Sequence, residues 1–489
     1  MTSRNHITLF GLLCAAWLPA CVDDAVVGTS GQIDVELQQA TLGQFAADSS
    51  TAIADVNGDG FGDLIVWTNA GPSPEEVVPP SGSLPIGVYV FFGSEARFAA
   101  QLGPEDADVR LTLRAGDFVA RVAGQDLDGD GKAELVVHAA AESTGSFPST
   151  SWWMDREGGG LFVVRGAALT PGVHVLAEIA ELIPAYAYGR EYVVRANHAY
   201  RDLDGVAGAE FMTEPYRLTE AGVSSINVRD LATGETRARL IAPDREYLDV
   251  RGVLDHDGDG VSDVVVAYVR IREGSSDANP NNPGSWEDLG IGVFYGPITG
   301  DIALGDEGTQ HISVPVPFRH AQPSFIGGGA ARTLVGDVCG DETEDVVIGL
   351  SSGSTLGLLF CLVGGSRDAL TTPDGVRLTF PPEQVQIIDP SWMMIARPQD
   401  QARSRLFVMG GNSFSFFAPT LQSVDAMQGV LVNRVALWYD TAPATPLFTH
   451  MGGAMGDLDG DGLLDVALGS QARELQPGSF VHVIYGFGG

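Results

Sequence analysis

Four stretches of this chain repeat one pattern: D-V-N-G-D-G-F-G-D from Asp55, D-L-D-G-D-G-K-A-E from Asp126, D-H-D-G-D-G-V-S-D from Asp255 and D-L-D-G-D-G-L-L-D from Asp457. Acidic or amide side chains stand at positions 1, 3, 5 and 9, glycines stand at 4 and 6, and an apolar run follows. Carboxylates alternating in so tight a loop aim their oxygens at one point, where they repel one another unless a cation joins them. A hard dication takes about six to eight oxygens at roughly 2.3–2.6 Å, which such a loop can supply. An EF-hand opens in the same way but requires a bidentate Glu at position 12 and a following helix. Position 12 here is Val66, Val137, Val266 or Leu468, and a strand pattern follows, so an EF-hand is excluded. A metal-free Asp-Gly turn accounts for one such copy. Four copies in matching contexts favour a cation.

Those contexts form a longer repeat. Each loop runs into a β-rich segment, Asp63–Trp67, Glu134–His138, Asp263–Tyr268 or Asp465–Leu468. A second β run opening on glycine follows: Gly87–Gly93, Gly160–Gly166, Gly292–Gly296 and Gly478–Gly486. A further alternating segment, such as Val109–Leu113 or Val173–Ile179, makes four strands per unit. Weaker copies then emerge. Asp202 to Glu210 has Val206 at position 5. Asp337 to Asp345 has Cys339 at position 3 and Glu342 at position 6. Arg397 to Arg405 keeps the frame without any acid in the ligand positions. Seven units spaced by roughly 50 to 80 residues predict an all-β fold, a seven-bladed β-propeller of four-stranded blades. The last unit lacks sequence for a fourth strand, and Ile33–Leu37 is an orphan strand ahead of the first. That strand is expected to complete the last blade and close the ring.

The order strand, D-x-[DN]-x-D-G-x-x-[DE], strand, G-x-V-x-V-x-G resembles the FG-GAP repeat of the integrin α-subunit propeller and its bacterial relatives, across residues 33–489. The Phe-Gly opening survives at best as Tyr188-Gly189, and the Gly-Ala-Pro segment only as Gly349 or Gly469. The resemblance implies Ca²⁺ in the loops between first and second strands, on one face of the ring. The ligands it implies are Asp55, Asn57, Asp59 and Asp63; Asp126, Asp128, Asp130 and Glu134; Asp255, Asp257, Asp259 and Asp263; and Asp457, Asp459, Asp461 and Asp465. Backbone carbonyls of Phe61, Lys132, Val261 and Leu463 would join them. The loops at 202–210 and 337–345 are expected to bind weakly or not at all, since Cys339 offers soft sulfur where Ca²⁺ takes oxygen. A Cys339–Cys361 disulfide could stand in for the ion there.

Formal net charge is −35 and Lys132 is the only lysine, which argues against a nucleic-acid partner. Residues 1–20 read as a signal peptide: Arg4, the apolar run Ile7–Leu18, then Leu18-Pro19-Ala20-Cys21, which resembles a bacterial lipobox. Cys21 is then the lipidated N-terminus, residues 21–32 a short tether, and Val22 after it favours the outer membrane, on its periplasmic side or at the cell surface. Ordinary secretion with cleavage nearby is the alternative.

No enzyme is expected. G-L-S-S-G at Gly349–Gly353 matches a hydrolase pattern but links two strands, whereas a nucleophile elbow needs strand, turn and helix. The histidines are scattered and no H-E-x-x-H occurs. The long insertions Asn69–Ile86, Ala141–Gly159 and Glu273–Gly290 fall in second connections, on the face opposite the acidic loops. They carry Trp152, Trp153 and Trp286, candidate anchors for a protein or carbohydrate ligand. The expected role is a monomeric, membrane-anchored binding or adhesion module. An enzyme acting on extracellular polysaccharide and a structural envelope component are the alternatives.

Overall fold

The computed structural model describes residues 39–45, 48–69, 86–99, 101–113, 117–141, 160–183, 191–193, 200–215, 225–243, 246–274, 286–313, 332–338, 341–352, 355–362, 364–365, 367, 376–379, 390–396, 404–410, 420–425, 430–436, 450–470 and 479–486. These are nearly all β, interrupted by single helical turns such as Leu176–Ile179. The strands form seven sheets of four or five strands.

Sheet I is a meander of Asp48–Ala54, Asp63–Asn69, Ile86–Phe91 and Val109–Thr112. Sheet II runs Asp117–Gln125, Glu134–Ala141, Gly160–Val164, Glu181–Ile183. Sheet III runs Glu191–Val193, Glu210–Pro215, Ser225–Asp230, Thr236–Ile241. Sheet IV holds Glu246–Leu254, Asp263–Ile271, Trp286–Phe294, Thr309–Ser313. Sheet V holds Arg332–Gly336, Asp345–Ser352, Thr355–Leu362, Val376–Thr379. Sheet VI holds Pro390–Ala396, Arg405–Gly410, Thr420–Asp425, Val430–Ala436, in the frame predicted from a repeat with no acid in its ligand positions. Sheet VII holds His450–Gly456, Asp465–Ser470 and Ser479–Ile484. Its fourth strand, Gln39–Phe45, comes from the other end of the chain and pairs antiparallel with Ser479–Ile484. The predicted closing segment Ile33–Leu37 lies outside the described residues.

Alternation along the second strands explains the core. Leu64 and Val66 of sheet I pack with Ala467, Val481 and Val483 of sheet VII. The intervening Ile65 packs with Val119, Leu135 and Val137 of sheet II. Successive side chains point to opposite faces of a strand, so sheet I is covered on both faces and its second strand needs no polar side. The run from Asp63 to Thr68 is accordingly buried throughout. A third cluster joins sheets II, III and IV through Val136, Phe211, Val264 and Val266.

Three outer strands gain a fifth, parallel neighbour from the third connection of the sheet that follows. Gln101–Leu102 joins Gln39–Phe45, Gly172–Val175 joins Val109–Thr112, and Gly300–Ala303 joins Thr236–Ile241. This corrects the expected strand Val173–Ile179. Its first half covers the edge of sheet I, helped by the Thr112 hydroxyl donating to the His174 carbonyl at 3.0 Å, and Leu176–Ile179 is a helical turn. The outer strand of sheet II is Glu181–Ile183 instead. Covering an exposed edge from the neighbouring sheet both satisfies backbone groups and joins two sheets. The expected strand Gly292–Gly296 also begins earlier, at Trp286, so the connection before it ends at Ser285 rather than Gly290.

Candidate metal centre

The acid at position 9 is the first residue of each second strand in sheets I to V and VII, so sheet pairing fixes its backbone. Its side chain is buried: Asp63, Asp263, Asp345 and Asp465 are fully covered and Glu134 and Glu210 nearly so. One carboxylate oxygen accepts the N–H of position 2, from Val56, His256, Val338 or Leu458 at 2.8 Å each. The glutamates do the same with Leu127 at 2.8 Å and Leu203 at 2.7 Å. The other oxygen accepts the N–H of the glycine ending the third strand: Gly93 at 2.9 Å, Gly296 at 2.7 Å, Gly364 and Gly486 at 2.8 Å. One acid thus ties loop to third strand. Burial pushes Asp63 up to about 6 and Asp263, Asp465 and Glu210 up to about 7, against the lowering effect of those backbone bonds.

The closing glycine is required by close approach. A Cβ on Gly93 would stand 2.2 Å from the Gly62 carbonyl oxygen and 2.8 Å from that of Leu458, in the loops of its own sheet and of sheet VII.

Position 1 organises the loop itself. Asp55 Oδ1 accepts the N–H of Gly58 at 2.7 Å, and Oδ2 accepts that of Gly60 at 2.9 Å. Asp126, Asp255 and Asp457 repeat both bonds. Gly60 has φ +91°, a left-handed conformation that glycine adopts freely. Glu342 takes the same position at φ +72°.

Oxygens from three acids converge within 4.8 Å at Asp126, Asp128 and Glu134, at Asp457, Asp459 and Asp465, and at Asp255, Asp257 and Asp259. Asp202, Asp204 and Glu210 converge equally, although that loop was expected to be weak. Loop III lost only position 5, and positions 1, 3 and 9 suffice to bring three carboxylates together. Loop I holds neutral Asn57 at position 3, whose amide donates to Asp59 Oδ2 at 2.9 Å. The amides of Phe61, Lys132, Val261 and Leu463 donate to the acid at position 5, at 2.8–2.9 Å. The converging side chains offer oxygen alone, a set that fits a hard cation such as Ca²⁺.

The loops also bracket neighbouring sheets. Position 8 of one loop donates its N–H to the position 1 carbonyl of the preceding loop: Ala133 to Asp55 at 2.7 Å, Ser404 to Asp337 at 2.7 Å, and Gly62 to Asp457 at 2.8 Å. The position 2 carbonyls of Leu458, Leu203 and His256 accept from Ser94, Ile298 and Gly365 of the following sheet. Sheet I therefore meets sheet VII through the same bonds that join sheets consecutive in the chain.

No family model matches this chain, and no curated protein does. Among solved structures it is similar to the Dos1 propeller at 8% identity and TM-score 0.45, covering 91% of this chain and 94% of that one. An Agrocybe aegerita lectin that recognises non-reducing terminal N-acetylglucosamine matches at 13% identity and TM-score 0.38, covering 81% of each chain. A Bacillus licheniformis rhamnogalacturonan lyase matches at 15% identity and TM-score 0.33, covering 88% of this chain and 74% of that one.

Several predicted residues, Cys21, Cys339, Trp152 and Trp153, lie outside the described residues. Cys361 sits in a strand opposite Val347, and Trp286 opens a strand opposite Ile271. Ser351 lies in the pairing of two antiparallel strands, Asp345–Ser352 and Thr355–Leu362, not on a strand-to-helix turn. At the end of sheet IV away from its acidic loop stands a polar group that sequence reading missed. Buried Glu246 accepts from Arg270 Nε at 2.6 Å, and the Tyr268 and Ser313 hydroxyls meet Asp288 at 3.2 and 2.8 Å. The Tyr268 ring lies across Gly290, where a Cβ would come within 2.5 Å of it. Aromatic-over-glycine pairing between adjacent strands was the available signal.

Proposed function

We propose that this chain is a calcium-stabilised seven-bladed β-propeller, carried in the bacterial envelope as a lipoprotein, that acts as a binding or adhesion module for a protein or glycan partner. Ring closure is supported by the bonds between sheets I and VII and by the strand Gln39–Phe45 completing sheet VII. One observation carries the functional reading. The acidic side chains of the loop face are committed to holding backbone and joining sheets, with their remaining lone pairs converged for a cation. That face is scaffold, which leaves ligand recognition to the opposite face, where the long second connections emerge. A glycan array and a pull-down of the intact chain against one lacking residues 142–159 test it. Binding lost with the loop, at unchanged melting temperature, supports the module. Equal binding by both, or none by either, removes it and favours the structural envelope role.

A polysaccharide-active enzyme is the second reading, favoured by the cluster of Glu246, Arg270, Tyr268, Asp288 and Ser313 on that opposite end. Reducing-end release from pectic or other acidic polysaccharides that vanishes in Asp288→Asn would support it; absence of release over a broad panel would not.

A further inference from the structure

Two of the acidic loops hold something that loops I, II and III lack among the described residues. Arg97, four residues beyond Gly93 in sheet I, reaches back to the loop of sheet VII. Its Nε lies 2.5 Å from Asp459 Oδ2 and its Nη2 3.1 Å from Asp461 Oδ2. The guanidinium stands over the Tyr485 ring, 5.1 Å from the centroid, and the Tyr485 hydroxyl accepts the Phe98 N–H at 2.8 Å. Sheet V does the same to sheet IV. Arg367, three residues beyond Gly364, places Nε 2.5 Å from Asp257 Oδ2 and Nη2 3.0 Å from Asp259 Oδ2. It stands 5.4 Å over the Tyr295 ring, whose hydroxyl donates to the Arg367 carbonyl at 3.2 Å. In both loops one guanidinium spans the carboxylates of positions 3 and 5, and the position 3 side chain is only 4% exposed.

Loops I, II and III carry no such fork among the described residues. At loop II, Arg165 makes a single contact of 3.4 Å with Asp128 and turns also to Glu181. At loop III, position 5 is Val206 and the residue facing Gly205 from the next sheet is Pro297. At loop I, Leu169 and Thr170 stand three and four residues beyond Gly166, the Lys132 stem lies against Gly58, and Asn57 has already paired with Asp59. Tyrosine immediately precedes the closing glycine in sheets IV and VII, where Phe92 and Arg165 stand in sheets I and II.

A planar fork donating to two carboxylates is a strong, directional arrangement, and an aromatic face beneath it adds cation–π attraction. A divalent ion in the same loop draws on the same oxygens of positions 3 and 5. Guanidinium and ion therefore compete for those carboxylates, and two like charges drawn to one loop repel each other. We propose that Arg97 and Arg367 are built-in counter-cations, which close loops VII and IV with a guanidinium from the following sheet and leave loops II and III, whose three acids also converge, open to the divalent ion. The statement about open loops rests on the calcium reading above. The consequence is a division of labour around the ring. The junction of sheets VII and I, where the two ends of the chain meet, is locked by a tethered cation that is present at any calcium concentration.

The test counts bound Ca²⁺ per chain by equilibrium dialysis and records melting temperature in chelator and in excess Ca²⁺. The proteins are the full chain, Arg97→Gln, Arg367→Gln, Arg97→Gln with Asp459→Asn, and Arg165→Gln as control. Each of the first two variants should bind one ion more than the parent, and Asp459→Asn should remove the added ion. In chelator they should melt below the parent, with Ca²⁺ restoring the loss, while Arg165→Gln leaves the ion count unchanged. Unchanged ion counts in Arg97→Gln and Arg367→Gln, or a melting loss equal with and without Ca²⁺, would overturn the assignment. If no protein in the set binds Ca²⁺, the calcium reading fails by itself. The clamp is then judged on the chelated samples alone: lowered melting keeps the inter-sheet lock, and unchanged melting ends it.

Discussion

Asp263 shows how much one buried carboxylate does in this molecule. Its two oxygens hold the N–H groups of His256 and Gly296 in a site without access to water. Asp263→Ala leaves both donors unsatisfied, and each costs about 1–3 kcal/mol, so a loss of roughly 3 kcal/mol is expected in urea unfolding. Asp263→Asn keeps one acceptor and should lose less. Glu342 supplies a change of opposite sign. Its left-handed backbone costs an L-residue roughly 1–2 kcal/mol, partly offset by the freedom glycine gains when unfolded. Glu342→Gly should therefore stabilise the chain by about 0.5–1 kcal/mol, read from the same unfolding curves. His482, in the third strand of sheet VII, is held by burial at about 4, below its ordinary 6.5. A depressed folded value means stability present above about 6.5 and lost as pH falls through about 4. Between pH 7 and pH 4 this histidine lowers the urea midpoint, while the raised carboxyls of Asp63, Asp263, Asp465 and Glu210 lift it, so His482→Gln should show a more favourable change on acidification than the parent. At this scale the sequence names the acids of the loop but not their division of work. Position 9 reads as one ligand among four, whereas its burial at a strand start makes it the bond between loop and third strand.

Among elements, the closing glycine and the crossing strands set how sheets join. Gly93→Ala places a methyl group against two backbone carbonyl oxygens at 2.2 and 2.8 Å, one from each of two sheets. The expected outcome is a loss of more than about 2 kcal/mol, with a lowered melting temperature in calcium and chelator alike. Strand alternation, the glycine-opened third strands and even sheet VI, whose loop has no acid in the ligand positions, are legible in the sequence, because pattern and spacing survive when ligands do not. The parallel fifth strands are not. Gly172–Val175 alternates like any outer strand, and only the sheet edge left open by Val109–Thr112 decides which neighbour it takes. The arginine clamps escape for a related reason. Arg97 and Asp459 are far apart in the chain, and nothing local in either segment announces their meeting.

At the scale of the whole molecule, one set of backbone bonds joins sheets I to II, III to IV, IV to V, V to VI and VII to I, and strand Gln39–Phe45 completes sheet VII. Removing residues 39–45 takes the fourth strand from that sheet and exposes the edge of Ser479–Ile484. The shortened chain is expected to melt lower and to associate, seen by calorimetry and light scattering, since an unpaired edge invites another strand. On the proposed reading, calcium would act on the same assembly from the loop face. An ion bound only by the native state stabilises by mass action, about 2.7 kcal/mol at 100 times its dissociation constant. The most direct test is scanning calorimetry of the intact chain before chelation, after it, and after adding back Ca²⁺ or Mg²⁺. A melting temperature that falls on chelation and returns with Ca²⁺ but not with the smaller Mg²⁺ is the predicted result. A folded protein whose melting temperature ignores the chelator contradicts it.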